Sequence, residues 1–212
     1  MALLVAPRVK ICGITRLEDA EVAVGLGADA IGFVFWPRSP RVVDRDTARA
    51  IAAEMPAFVT RVGVFVDMPP DEVAHTVGLV GLDVVQLHGD EDIDAYVDVG
   101  VRLMKAVTLA DEAATDRAAR LPASVTPLVD AVDVARRGGT GLKADWALAA
   151  RLALRRPIVL AGGLTDQTVE QAVREVHPWG VDVSSGVELA PGIKSRERLQ
   201  AFFAAVARTE DA

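Results

Sequence analysis

The single cysteine of this chain, Cys12, stands at the end of the apolar run VKIC, directly before Gly13. With no second cysteine it forms no disulfide within the chain. It is either a small buried hydrophobe or a thiol that acts as a base once a cation or dipole favours its thiolate. Lys10, two residues earlier, points to the same side of an extended strand. It can supply that cation, or it can pair with a carboxylate. Asp130 raises the matching question, because it lies inside the apolar run PLVDAV. Burial without a cation raises a carboxyl pKa, so such a group can hold a proton near neutrality and serve as a general acid. The alternative is a structural carboxylate that accepts bonds from loop amides. Asp133 is a rival acid better placed in a loop. Arg41, in WPRSPR, offers a two-pronged guanidinium to a substrate carboxylate; the alternative is a solvated loop arginine, and Arg38 ranks behind it. Gln86 and His88, in VQLHG, are candidates for contacting substrate, or His88 ties down a loop.

Glycine-rich turns accompany these groups. AGG (161–163) precedes a helical stretch near Thr165, SSG (184–186) follows the last apolar run, and GGTG (138–141) follows the run that holds Asp130. Glycine has no Cβ to block an anion's approach to backbone N–H groups, and helix N-termini add a partial positive charge. Gly162, Gly163, Ser184, Ser185 and Gly186 are therefore candidates for binding phosphate, with Gly139 contributing an amide or its loop covering the site. The alternative is tight turns with no ligand. His75 and His177 read as surface or packing residues, and three scattered histidines with one cysteine make no metal-ligand cluster.

What positions these groups is a repeating unit. Short runs that are apolar at nearly every position suit strands covered on both faces of a parallel sheet. They are VKIC (9–12), AIGFVF (30–35), RVGVFV (61–66), DVVQL (83–87), VRLMKAV (101–107), PLVDAV (127–132), PIVLA (157–161) and GVDVS (180–184). Helical patterns follow Thr15, Asp44, Pro69, Asp90, Ala110, Asp145, Thr165 and Ser195. In the first, Thr15 and Glu18 have capping-box spacing, and Gly27 sits where the helix should stop. Eight strand–helix units at near-even spacing point to an α/β single-domain (β/α)8 TIM barrel over 9–208, with a short extension at 1–8 and a tail at 209–212. An open doubly wound sheet shares the alternation but suits the even spacing less well. In a parallel barrel every strand ends at one face, so Cys12, Arg41, His88, Asp130 and the glycine turns converge there.

Composition narrows the function classes. Thirty acidic against 23 basic residues give a net charge of −7, which argues against nucleic acid as partner. No run of apolar residues is long enough for a membrane span, and the N-terminus lacks the basic start of a signal peptide. A lone cysteine fits a reducing, cytoplasmic setting.

Taken together, KICGIT, GFVFWPRSPR, RVGVFV, VQLHG, GGTG with DW soon after, LAGGL and VDVSSGVE resemble the phosphoribosylanthranilate isomerase family. The likeness runs from Val9 to the last helix. It implies an Amadori rearrangement of a phosphorylated sugar–anthranilate conjugate in tryptophan biosynthesis, with neither metal nor cofactor. By that resemblance Asp130 is the general acid that opens the ribose ring and Cys12 the base that removes the C2′ proton. Arg41 holds the ring carboxylate, and the loops of Gly162–Gly163 and Ser184–Gly186 hold the phosphate. The chain departs from the pattern after the sixth strand. Arg136 and Arg137 replace an aromatic residue before GGTG, and Lys143 is one position from the usual basic residue. An isomerase that also serves histidine biosynthesis would use a carboxylate at Cys12, and a non-catalytic phosphate binder would need neither Cys12 nor Asp130. Oligomeric state stays open between monomer and homodimer.

Overall fold

Strands buried on both faces need helices outside and side chains inside, and the chain supplies both. A computed structural model describes residues 6–130 and 145–209. In order the elements are β1 (Arg8–Cys12), α1 (Leu17–Gly25), β2 (Ala30–Val34), α2 (Arg45–Ala53), β3 (Thr60–Phe65), α3 (Pro70–Val80), β4 (Val84–Leu87), β5 (Arg102–Val107), α4 (Glu112–Ala119), β6 (Val125–Val129), α5 (Trp146–Ala153), β7 (Val159–Leu160), α6 (Val169–Val176), β8 (Gly180–Val183), a hairpin of β9 (Glu188–Ala190) and β10 (Ile193–Lys194), and α7 (Arg196–Ala207). Strands β1 to β8 pair in sequence order and β8 returns to β1, all in parallel, to close an eight-stranded barrel.

The alternation of strand side chains divides the core. Ile11, Phe33, Phe65, Val85 and Leu87 face outward and pack with helix residues such as Leu199 and Phe202. Inside the barrel, Met104, Leu128, Val159 and Ala161 form a separate apolar cluster with Val84 and Ala106. Cys12, Val34 and Val64 form another, closed by Trp36. Helix starts follow from local chemistry: the side chains of Asp44, Asp111, Asp145 and Ser195 accept backbone N–H bonds at the N-termini of α2, α4, α5 and α7.

Four sequence expectations differ from the structure. Thr15 does not cap α1: Arg16 occupies that position without a side-chain cap, and the Thr15 hydroxyl instead donates 2.5 Å to Gly192 O in the β9–β10 hairpin. A tertiary acceptor outcompeted the local one. After β4 the chain makes a single 3₁₀ turn, Ile93–Tyr96, rather than a full helix. The helix expected near Thr165 begins at Val169, because Thr165 and Thr168 hydrogen-bond each other's turn first. Finally, β6 ends at Val129, so Asp130 is the first residue beyond the strand.

One arginine ties the strand-entry side together. The Arg156 guanidinium donates to the carbonyls of Ala118, Ala119, Leu121, Pro122 and Val125, closing the end of α4 onto the start of β6. A point-charge lysine cannot fork in this way. Arg156→Ala is expected to lower stability by about 2 kcal/mol, with Arg156→Lys recovering less than half, as measured by urea unfolding.

Candidate active site

Gly13 explains why Cys12 is followed by a glycine. Its φ of +76° lies in the left-handed region, and a Cβ there would come within 2.6 Å of Arg41 Cδ. Arg41 therefore crosses directly over the end of β1. Its Nε donates to Glu188 Oε1 and Oε2 at 2.9 and 3.1 Å, and its Nη2 to Oε2 at 2.7 Å. Glu188 also accepts from Lys194 Nζ at 2.8 Å, and that ammonium donates to Cys12 O at 2.6 Å and to Ser184 O at 3.3 Å. Lys194 is thus a buried staple across the ends of β1 and β8. Below it, Lys10 and Asp182 are register partners on β1 and β8 and form a buried ion pair of 2.8 Å. Lys10 thus pairs with a carboxylate, and the same ammonium opposes the rise that burial gives the Cys12 thiol.

Electrostatics follow from this packing. Burial pushes the Cys12 thiol up, opposed by Lys10 and then Lys194, while Asp182 adds to the upward push. Burial also works against the Lys10 ammonium, but Asp182 and Cys12 outweigh it and raise its pKa. Burial would raise Glu188, yet its bonds from Arg41 and the charge of Lys194 hold it below the usual carboxylate range. Three cations, Lys10, Arg41 and Lys194, face two carboxylates, Asp182 and Glu188. This group carries one surplus positive charge, which opposes the effect of burial on the thiol and favours a bound anion.

Across the barrel, Asp130 lies at the end of β6 with its N–H on Val107 O. Its carboxylate Oδ2 is 3.2 Å from His88 Nε2. Gln86 Nε2 approaches His88 Nδ1 at 2.9 Å. With the amide donating to Nδ1, the ring proton sits on Nε2 and points at Asp130. Gln86 is 1% exposed, so its side chain serves His88 from below the rim. Gly162 and Gly163 both adopt positive φ after β7. The next loop packs onto this turn, since a Cβ on Gly186 would lie 2.0 Å from Leu164 O. Ser185 opens the 3₁₀ turn Ser185–Val187, and the buried Ser184 hydroxyl has no hydrogen-bond partner among the described residues. Gly139 lies outside the described residues. Arg38 stacks over Trp36, 4.8 Å from the ring centroid.

The structure therefore brings Cys12, Arg41, Ser184 and Gly186 together on one side of the rim, with Gln86, His88 and Asp130 forming a chain on the other. Asp182, Glu188 and Lys194 escaped the sequence reading. Asp182 carried the same signal as Asp130, a charge inside an apolar run; Glu188 and Lys194 belong to a hairpin too short to show periodicity. Among the described residues, no cluster of His, Cys, Asp or Glu could hold a metal ion, and no helix is long and apolar enough to cross a membrane.

A closed parallel (β/α)8 barrel with an acid, a thiol and cations at the strand ends is the architecture of a barrel enzyme. Comparison with known proteins gives the family. Residues 9–205 match the family model for N-(5'phosphoribosyl)anthranilate (PRA) isomerase, and the chain belongs to that family. It is 46% identical to the N-(5'-phosphoribosyl)anthranilate isomerase of Rubrobacter xylanophilus, over 93% of this chain and 98% of that protein. The phosphoribosyl anthranilate isomerase of Thermotoga maritima superposes with a TM-score of 0.88 at 40% identity, covering 95% of this chain and 99% of that one. A solved complex of such an isomerase with reduced 1-(o-carboxyphenylamino)-1-deoxyribulose 5-phosphate superposes at 0.85, with 40% identity and the same coverage.

Because Glu188 sits below the ordinary glutamate value, it contributes stability that is fully present above about pH 4.3 and is lost as pH falls through its lower folded value. Glu188→Gln is expected to be less stable by about 3 kcal/mol near neutrality, because it leaves Arg41 and Lys194 unpaired. Its stability should also fall less steeply in acid. Urea midpoints between about pH 3 and pH 7 measure both effects.

Proposed function

We propose that this chain converts N-(5-phosphoribosyl)anthranilate into 1-(2-carboxyphenylamino)-1-deoxyribulose 5-phosphate, with Cys12 as general base and Asp130 as general acid. The observation that carries the reading is that these two residues end β1 and β6 at one rim of a barrel whose family match spans 9–205. Asp130 gives a proton to the ribose ring oxygen, the C1′–O bond breaks, and the anilino nitrogen's lone pair forms the Schiff base. The Cys12 thiolate then takes the C2′ proton, leaving an enolamine that tautomerises to the ketose. His88, with its Nε2 at the Asp130 carboxylate, keeps a proton within reach of the acid between turnovers.

The remaining groups bind. Glu188 occupies Nε and Nη2 of Arg41. The fork still presents Nη1 and the second Nη2 hydrogen to the substrate's ring carboxylate, with no rotation needed. The surplus positive charge at this end favours that anion. The positive-φ glycines after β7, the Ser184 hydroxyl and the Gly186 turn suit the phosphate.

Cys12→Ser and Asp130→Asn are each expected to reduce turnover by at least ~10²-fold while leaving the fold intact, read as the loss of anthranilate-type fluorescence from freshly made substrate. Near-wild-type turnover in either variant removes that residue's role. Arg41→Ala is expected to raise KM more than it lowers kcat, and the deficit should vanish for binding of a phosphate-bearing analogue that lacks the ring carboxylate.

A further inference from the structure

The space between β1 and β2 is arranged around Lys10 as closely as around Cys12. Gly32 is the register partner of Cys12 on β2. A Cβ on Gly32 would lie 3.0 Å from Cys12 Sγ, 3.1 Å from Lys10 Cε and 3.2 Å from Lys10 Nζ. The absent side chain leaves the chamber in which ammonium and sulfur meet. Lys10 is 4% exposed and Asp182 9%. Asp182 anchors the ammonium from the opposite neighbour, β8, at 2.8 Å.

The charged groups that act on the Cys12 thiol are Lys10 from β1, Asp182 from β8 and Lys194 from β10. Strands β2 and β3 present only Gly32, Val34 and Val64, with Trp36 above. Lys194 directs its bonds to Cys12 O, Ser184 O and Glu188, away from the sulfur. Packing alone does not call for the Lys10–Asp182 pair, since apolar side chains of equal volume fill a core at least as stably as a buried ion pair.

We propose that Lys10 is a positioning residue of the isomerisation, its ammonium serving as a counter-ion that the Cys12 thiolate shares with Asp182. This rests on the reading of Cys12 as base. The balance is simple. Before proton abstraction, one ammonium faces one thiolate and one carboxylate. The second negative charge is offset by the surplus of Lys194 and Arg41 over Glu188; afterwards the C2′ proton is on sulfur and Lys10 remains paired with Asp182. Burial pushes the thiol up and Lys10 is the strongest influence opposing it, in keeping with that role.

With one cysteine in the chain, the ultraviolet absorbance of the thiolate reports Cys12 alone once the Cys12→Ser titration is subtracted. The variants are K10M/D182N, which leaves neither buried charge unpaired, K10R, and D182N. The double variant is expected to titrate higher by about one pH unit or more. Its kcat/KM near neutrality should fall about tenfold and recover as pH rises, following the thiolate fraction. K10R keeps the charge and should titrate close to wild type, and D182N should titrate lower, because the carboxylate no longer disfavours the thiolate. The proposal is overturned if a folded double variant titrates as wild type does, or if its kcat/KM drops equally at every pH. A D182N midpoint that stays or rises overturns it even where the double variant does not fold. The absorbance titration needs no substrate. Failure of the isomerase reading would appear separately, as wild-type protein that titrates as expected but does not turn over phosphoribosylanthranilate.

Discussion

The pairing of β1 with β8 is the constraint on which the site depends. It joins residues 172 apart in sequence, Lys10 and Asp182, as direct neighbours inside the barrel. Closure leaves no open edge and gives every strand end a single rim. The same closure puts charges where water cannot solvate them, so each must be matched by another charge or by main-chain carbonyls. Lys10 is matched by Asp182, Lys194 by Glu188 and two carbonyls, and Arg41 by Glu188. The interactions that close the seam between first and last strand are those that surround the thiol.

That economy divides the rim into two chemically different halves. On the β1–β8 side, cations outnumber carboxylates, and they oppose the rise that burial gives the Cys12 thiol. On the β4–β6 side, Gln86, His88 and Asp130 form a chain of polar contacts.

Much of this was legible in the chain. Runs such as RVGVFV are apolar at almost every position because both faces of the strand are covered, Phe65 on the outside and Val64 within. Cys12 and Asp130 stood out because one ends such a run and the other breaks one, and Arg41 because it lies in the loop that follows one. Two of the failures were of one kind, a tertiary partner taking a group from its local one. Thr15 and Glu18 have the spacing of a cap, yet the Thr15 hydroxyl bonds a hairpin residue 177 positions away. The stretch after Asp90 had helical residues but forms one 3₁₀ turn, with Tyr96 hydroxyl drawn to Met68 O.

Local patterning by itself determined the alternation of strand and helix, the parallel buried sheet and the glycine turns at the strand ends, because those depend on periodicity and residue type over a few neighbours. Only the tertiary structure decided which charge meets which. The partnership of Lys10 with Asp182, the span of Lys194 from strand one to strand eight, and the grip of Glu188 on Arg41 all join residues far apart in the chain. No spacing rule reaches that distance, because such contacts exist only once the barrel has closed and excluded the water that would otherwise solvate each group alone.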